Sequence, residues 1–154
     1  MSGKIRTLNL VSAIIMVILL VMQFMPYWHL GDEAKDVSIQ GFTWFPTDHK
    51  DLESKIAEKT SDADFVVTHI IAMPILELLL CAAGAVCCCF MSKNPLMLLF
   101  PSAAGLFGLW GYLTQPAFRL GGAWLVHVAI CVALLILGAG GLFLGMKNNS
   151  AEKK

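Results

Sequence analysis

The chain has 154 residues, of which 57% are hydrophobic and 14% are charged, and its formal net charge is zero. This composition is too apolar for an ordinary soluble domain, and the charge balance gives no indication of a nucleic-acid partner. All five cysteines lie within apolar runs, which excludes a disulfide framework in the polar part of the chain. The composition therefore predicts a single integral membrane domain over residues 1–154.

Four apolar stretches are long enough to cross a bilayer, which requires about 20 residues. We predict an all-α membrane protein, a four-helix transmembrane bundle with spans at residues 8–28, 65–90, 95–114 and 121–146. The first stretch ends at Trp28 without the small residues of a signal-peptide cleavage site, so we expect it to be retained in the protein.

The polar segment between the first two spans, residues 29–64, has nine acidic residues and four lysines. Within it, Val37–Phe45 is rich in β-branched and aromatic residues, which predicts a short β segment. Thr47 or Asp48 then caps a short helix that ends at Lys59. We expect this large first outer loop to be ordered against the bundle. Its acidic excess is typical of a solvated surface, with a weak cation site as the alternative.

Basic residues are distributed unevenly between the short segments that flank the spans. One side of the predicted bundle has six of them, whereas the short turn on the other side has Arg119; the six are Lys4, Arg6, Lys93, Lys147, Lys153 and Lys154. Because short cytoplasmic segments are enriched in lysine and arginine, we predict a multi-pass plasma-membrane protein with both termini in the cytoplasm.

Small or polar residues recur at steps of three and four along each span, which is the spacing of a helix-packing seam. We predict that these residues face the interior of the bundle. They are Asn9, Ser12, Met16, Leu19 and Gln23 in the first span, His69, Met73, Glu77, Leu80, Gly84 and Cys87 in the second, Pro101, Ala104, Gly108, Gly111 and Gln115 in the third, and His127, Cys131, Leu134, Gly138, Gly141 and Gly145 in the fourth.

Glu77 lies near the middle of its predicted span, where a charged side chain costs roughly 2.5–3.5 kcal/mol on insertion scales. The rise of a helix puts His127 about one to two turns nearer the outer surface. We predict an intramembrane polar layer made of Glu77, His127, His69, Gln23 and Tyr112. This layer is either a structural cluster, with protonated Glu77 bonded to His127 or to a freed backbone carbonyl, or a functional site for an ion, a proton or a small polar ligand.

The sequence predicts no cofactor, no metal site and no enzymatic activity. Two histidines and Glu77 offer zinc ligands, but the spacing has no H-E-x-x-H pattern. No serine or cysteine has an evident base partner at matching depth. The three consecutive cysteines at 87–89 point about 100° apart, so they do not converge on one ion. We interpret them as packing residues, with S-acylation near the cytosolic face as the alternative.

These features predict a small non-enzymatic membrane protein that acts as an interaction or accessory subunit through its outer loop and bundle surface. Phe42, Trp44 and Phe45 are candidate contacts with another membrane protein or a second copy of the chain; alternatively they pack the loop onto the bundle. The alternative function is a small transporter or channel that uses the polar layer around Glu77. A cavity reaching Glu77 from outside would favour transport, and a close-packed interior would favour the subunit.

Overall fold

The structure is a computed structural model that describes residues 2–24, 26–30, 34–40, 73–114, 119–120 and 124–151. Within these residues the chain forms four α-helices, α1 (Ser2–Met22), α2 (Met73–Phe90), α3 (Leu99–Thr114) and α4 (Trp124–Ala151). A 3-10 turn over Pro95–Leu98 leads into α3. Segments of α1 and α4 are long and apolar enough to cross a membrane, whereas the apolar stretches of α2 and α3 are shorter; the two long segments are Gly3–Met22 and Leu125–Lys147.

The four helices pack in chain order around a ring. Each helix packs against the one that follows it, and α4 returns to pack against α1. Helices α2 and α4 therefore face each other across the interior, as do α1 and α3. Near the start of α1, Nδ2 of Asn9 donates to the carbonyl oxygens of Ser92 (2.8 Å) and Asn94 (3.0 Å) in the turn between α2 and α3. We call this end of the ring the turn end.

The predicted inward stripes of α1 and α4 are confirmed. Each of the five stripe residues of α1 has an exposed fraction of 0%, and all six stripe residues of α4 are buried. In α3, the three stripe residues whose side chains are described are buried as well; they are Pro101, Ala104 and Gly108.

The predicted stripe of α2 is wrong at two positions. Leu80 and Cys87 are only partly buried, and the interior is lined instead by Cys81 and Cys88. The cause is the packing at Gly84, where an added Cβ would lie 2.7 Å from Cβ of Phe100 and 2.8 Å from the Met16 sulfur. These two side chains close on Gly84 from α3 and α1, and they turn α2 so that Cys81 and Cys88 point inward.

Two glycines set the distance between α3 and α4. A Cβ on Gly138 would lie 2.6 Å from the backbone nitrogen of Ser102 and 2.8 Å from the carbonyl oxygen of Leu98. A Cβ on Gly105 would lie 2.9 Å from the backbone nitrogen of Leu135. Backbone atoms cannot turn aside as the end of a flexible side chain can, so this close approach requires glycine at both positions.

The first helix lies earlier in the chain than the predicted span 8–28. It begins at Ser2 and ends at Met22, and the chain then enters strand β1 (Pro26–Leu30). Pro26 lacks a backbone N–H and disfavours a helical conformation at the preceding residue, so the helix does not continue to Trp28. Helix α4 runs to Ala151, beyond the predicted end at 146. The predicted second span includes residues 65–72, which lie outside the described part of the chain.

A small antiparallel sheet follows α1 and also includes a strand between α3 and α4. Its central strand β1 pairs with β2 (Ala34–Gln40) on one side and with β3 (Arg119–Leu120) on the other. We call this the sheet end of the ring. The predicted β segment Val37–Phe45 begins within β2, but its later residues and the predicted helix ending at Lys59 lie outside the described residues. The ordered outer loop therefore stays a prediction.

We expect Gly138→Ala to destabilise the protein, because the new methyl group would meet the backbone of α3. Overpacking of this kind typically costs about 1–3 kcal/mol. Gly140→Ala is a matched control on the same helix, since a Cβ there would meet no described atom within 4 Å. This control should be neutral or stabilising by up to about 1 kcal/mol, the helix propensity difference. Thermal unfolding in detergent tests the pair, and equal melting temperatures would contradict the close packing of α3 on α4.

Candidate functional site

Three titratable side chains meet in the interior of the ring, toward the sheet end. Glu77 lies near the start of α2, His127 lies near the start of α4, and Cys131 follows one turn later on α4. Residues four apart on a helix lie one above the other, so His127 and Cys131 share a face. Because α2 and α4 face each other, the contact between Glu77 and this pair crosses the interior. We call these three residues the Glu-His-Cys cluster.

The three side chains converge through one oxygen of Glu77. Its Oε1 lies 3.2 Å from Nε2 of His127, and Sγ of Cys131 donates to the same oxygen at 3.6 Å. The sulfur lies 3.8 Å from Nε2 and 3.9 Å from Nδ1 of His127. The exposed fractions of Glu77, His127 and Cys131 are 2%, 1% and 0%. The protein itself therefore encloses the cluster.

Gly108 of α3 provides the space that the cluster occupies. A Cβ at this position would overlap Oε1 of Glu77 and would lie 2.5 Å from Sγ of Cys131. Any larger residue would push the carboxyl group and the thiol away from their present positions. The absence of a side chain on α3 is thus part of the site.

The described residues around the cluster include a further thiol and several apolar side chains. Cys81 lies one turn after Glu77, is fully buried, and is close enough to Glu77 and Cys131 for charges on these groups to interact. Buried hydrophobic residues of the same core include Met16, Leu19, Ala104 and Leu134. The Lys and Arg residues whose side chains the structure describes lie at the turn end or in the terminal turns next to it; they are Lys4, Arg6, Lys93 and Lys147. Glu77 therefore has none of these four described side chains beside it. Lys35 of β2 and Arg119 of β3 lie at the sheet end, and their side chains are not among those described.

The structure brings together two members of the predicted polar layer, Glu77 and His127. Gln23 is fully buried and lies directly after the last residue of α1. Tyr112 belongs to α3, but its side chain is not among those described, and His69 lies outside the described residues. The predicted contact residues Phe42, Trp44 and Phe45 also lie outside them.

Sequence reasoning missed Cys131 as a member of the cluster. It appeared in the predicted stripe of α4, but only as a packing residue. The signal was present in the sequence, because the spacing of four between His127 and Cys131 puts both on one face. Whether that face met Glu77 depended on which helices are diagonal in the ring, and helix periodicity alone does not determine this.

The geometry differs from that of a catalytic relay. In a cysteine or serine relay the imidazole lies between the acid and the nucleophile and uses one ring nitrogen for each. Here the thiol contacts the carboxyl oxygen directly, and Nε2 of His127 is the ring nitrogen nearest to both groups. The oxygen, nitrogen and sulfur atoms of the cluster lie close enough together to share a proton or to coordinate one cation.

The chain matches no protein-family model, no curated protein and no solved structure. The chemistry of its own residues is therefore the basis for a proposed function. The two most informative features are the enclosed Glu-His-Cys cluster and the apolar outer faces of the helices.

In protein free of any bound cation, we expect Glu77→Gln to change stability little, since the amide keeps the shape and can still bond to His127. Glu77→Leu leaves the polar atoms of His127 and Cys131 without their carboxyl partner, at a cost of about 1–3 kcal/mol. Ser12→Ala is the control for loss of a buried polar group, because the Ser12 hydroxyl has no hydrogen-bond partner among the described atoms. Thermal unfolding in detergent measures all three variants. A Glu77→Leu protein as stable as the parent would show that the cluster does not stabilise the fold.

Proposed function

We propose that this chain is a four-span integral membrane protein of the plasma membrane that acts as a non-enzymatic accessory subunit. The proposal has three parts: residence in the membrane, orientation, and action through a partner. We favour a subunit over a transporter because the residues around Glu77 are closely packed.

Residence in the membrane is supported by the outer surface of the helices, which is apolar, whereas that of a soluble bundle is polar. Buried polar residues line the interior; they are Asn9, Ser12, Gln23, Glu77 and His127. Large apolar side chains point outward on every helix, with exposed fractions of 63% for Ile14, 56% for Val86, 48% for Leu106 and 65% for Ile136. Contiguous apolar surface of this kind indicates contact with lipid or with another protein.

The two longest apolar segments are also poorly covered by the rest of the chain. Only 39% of the apolar 18-residue stretch in α1 and 28% of that in α4 is buried. An apolar core helix of a soluble protein would be mostly buried, since that burial drives its folding. Lipid tails, in contrast, accept these side chains without further cover. This supports membrane-spanning roles for α1 and α4. Because α2 and α3 pack beside them in the same ring, we propose that they span the membrane as well.

The orientation is supported by the ends of the ring. The turn end carries the first turns of α1, the turn at 91–94 and the last turns of α4, and it has exposed Lys4, Arg6, Lys93 and Lys147. The sheet end carries β1, β2 and β3. Positive charge near short loops is retained on the cytoplasmic side. We therefore put both termini in the cytoplasm, with the sheet and the loop containing Phe42, Trp44 and Phe45 outside.

The close packing of the interior supports a subunit rather than a transporter. A transport route through Glu77 requires water to reach the carboxyl group, yet its exposed fraction is 2% and Gly108 of α3 packs directly against it. The Glu-His-Cys cluster is then a fixed element of the ring. The outer loop and the apolar helix faces remain as the surfaces through which the protein acts, on another membrane protein or a second copy.

The orientation predicts a labelling pattern for single cysteines in a background without the native five. Asp48→Cys and Lys55→Cys should react with a membrane-impermeant maleimide in intact cells. Lys93→Cys and Lys147→Cys should react only after permeabilisation, because the turn end faces the cytoplasm. The cysteine-free parent is the control for background labelling. Labelling of Lys93→Cys from outside would reverse the proposed orientation.

The subunit role predicts a specific copurification pattern. The full chain, isolated from its host in mild detergent, should retain a membrane protein or a second copy in a fixed ratio. The triple variant Phe42→Ala, Trp44→Ala, Phe45→Ala should lose this partner, whereas Glu77→Gln should keep it. Proteoliposomes with the purified chain should show no more proton or cation flux than empty liposomes. A flux that Glu77→Gln abolishes would instead establish the transporter, because an amide cannot ionise.

A further inference from the structure

We infer that the Glu-His-Cys cluster is a binding site for a divalent transition-metal cation, with Zn²⁺ as the ion that it fits best. This inference goes beyond the subunit function and does not depend on it. It rests on the donor set, on the distances between the donor atoms, and on the charge of the groups in an apolar interior.

The donor set is one that zinc prefers. Zn²⁺ binds imidazole nitrogen, thiolate sulfur and carboxylate oxygen, whereas Mg²⁺ and Ca²⁺ favour oxygen ligands alone. His127 and Cys131 contribute a nitrogen and a sulfur from one face of α4, and Glu77 contributes an oxygen from the opposite side of the ring. The three donor atoms lie within 4.8 Å of one another, and all three residues are buried.

The distances between these atoms match a zinc coordination shell. The sides of the triangle are 3.2 Å between Oε1 and Nε2, 3.6 Å between Oε1 and Sγ, and 3.8 Å between Nε2 and Sγ. The point equidistant from three corners with these separations lies about 2 Å from each. Bond lengths to Zn²⁺ are about 2.0–2.2 Å for nitrogen and oxygen and about 2.3 Å for sulfur. An ion slightly above the plane of the triangle therefore reaches all three atoms with little movement of the side chains.

The charge of the ligands supports the same conclusion. A carboxylate and a thiolate together carry two negative charges, which Zn²⁺ balances, and the neutral imidazole adds none. The site with its ion is then electrically neutral, which lowers the cost of burying the two anionic ligands.

The burial of the cluster determines how the ion must enter. Because the protein encloses all three ligands, we expect the metal to bind as the helices assemble and to exchange slowly afterwards. The test therefore supplies the metal during biosynthesis. The full chain is produced in zinc-supplemented or cobalt-supplemented medium, freed of any affinity tag, purified in detergent without chelators, and analysed for metal per chain.

We expect about one zinc per chain in the parent protein. Cys131→Ala should reduce this content at least about tenfold, an effect of the size seen when even outer-shell partners of a metal are removed. Cys88→Ala is the matched control, since Cys88 is also a fully buried thiol of the core, but it donates to the carbonyl oxygen of Met97 at 3.5 Å near the turn end. The control should keep its zinc. Equal zinc in the two variants would overturn the proposal.

A measurement on the parent protein covers the case in which Cys131→Ala does not fold. Protein produced with cobalt should show a thiolate-to-cobalt charge-transfer band in the near ultraviolet. The charge-transfer band reports a sulfur ligand directly. Parent protein that carries neither zinc nor cobalt, or that carries cobalt without this band, would rule out the site.

Discussion

The short distance between α3 and α4 controls the geometry of the interior. At Gly138 and Gly105 the backbones of these helices approach so closely that a methyl group at either position would meet backbone atoms. Gly108, one turn after Gly105, then leaves room for a carboxyl group from α2. If α3 stood further from α4, His127 would move away from Glu77 and the contact at 3.2 Å would be lost. The polar cluster thus depends on residues that have no side chains of their own.

Polar contacts at the two ends fix how the helices slide past one another. Near the turn end, Asn9 bonds to two carbonyl groups of the turn between α2 and α3. Toward the sheet end, Glu77 bonds to His127 across the ring. The layer between them is packed by Met16, Cys88 and Leu134, whose contacts tolerate small shifts. Hydrogen bonds do not tolerate such shifts, so buried polar pairs are a means of specifying one alignment of apolar helices.

Periodicity predicted the inward faces of α1 and α4 because each has a single stripe of small or polar residues. It was less successful for α2, where either Leu80 and Cys87 or Cys81 and Cys88 could face the interior. The packing of Phe100 and Met16 on Gly84 favours the second pair. Pro26 indicated the end of α1, but the apolar residues continue to Trp28, so the predicted span was too long at its C-terminal end. The partners of Glu77 required knowledge of which helices are diagonal, which arises only when all four assemble.

The positions of the described chain ends carry a practical consequence. Helix α1 begins at Ser2 and α4 ends at Ala151, and these two helices pack against each other with both ends at the turn end of the ring. Neighbouring helix axes are typically about 8–10 Å apart, a gap that a short flexible peptide can bridge. The order of the helices along the chain could therefore be changed without changing their arrangement in the ring. A circularly permuted chain, closed between these ends and opened within the polar segment at 41–64, would keep the described contacts between the helices of the ring.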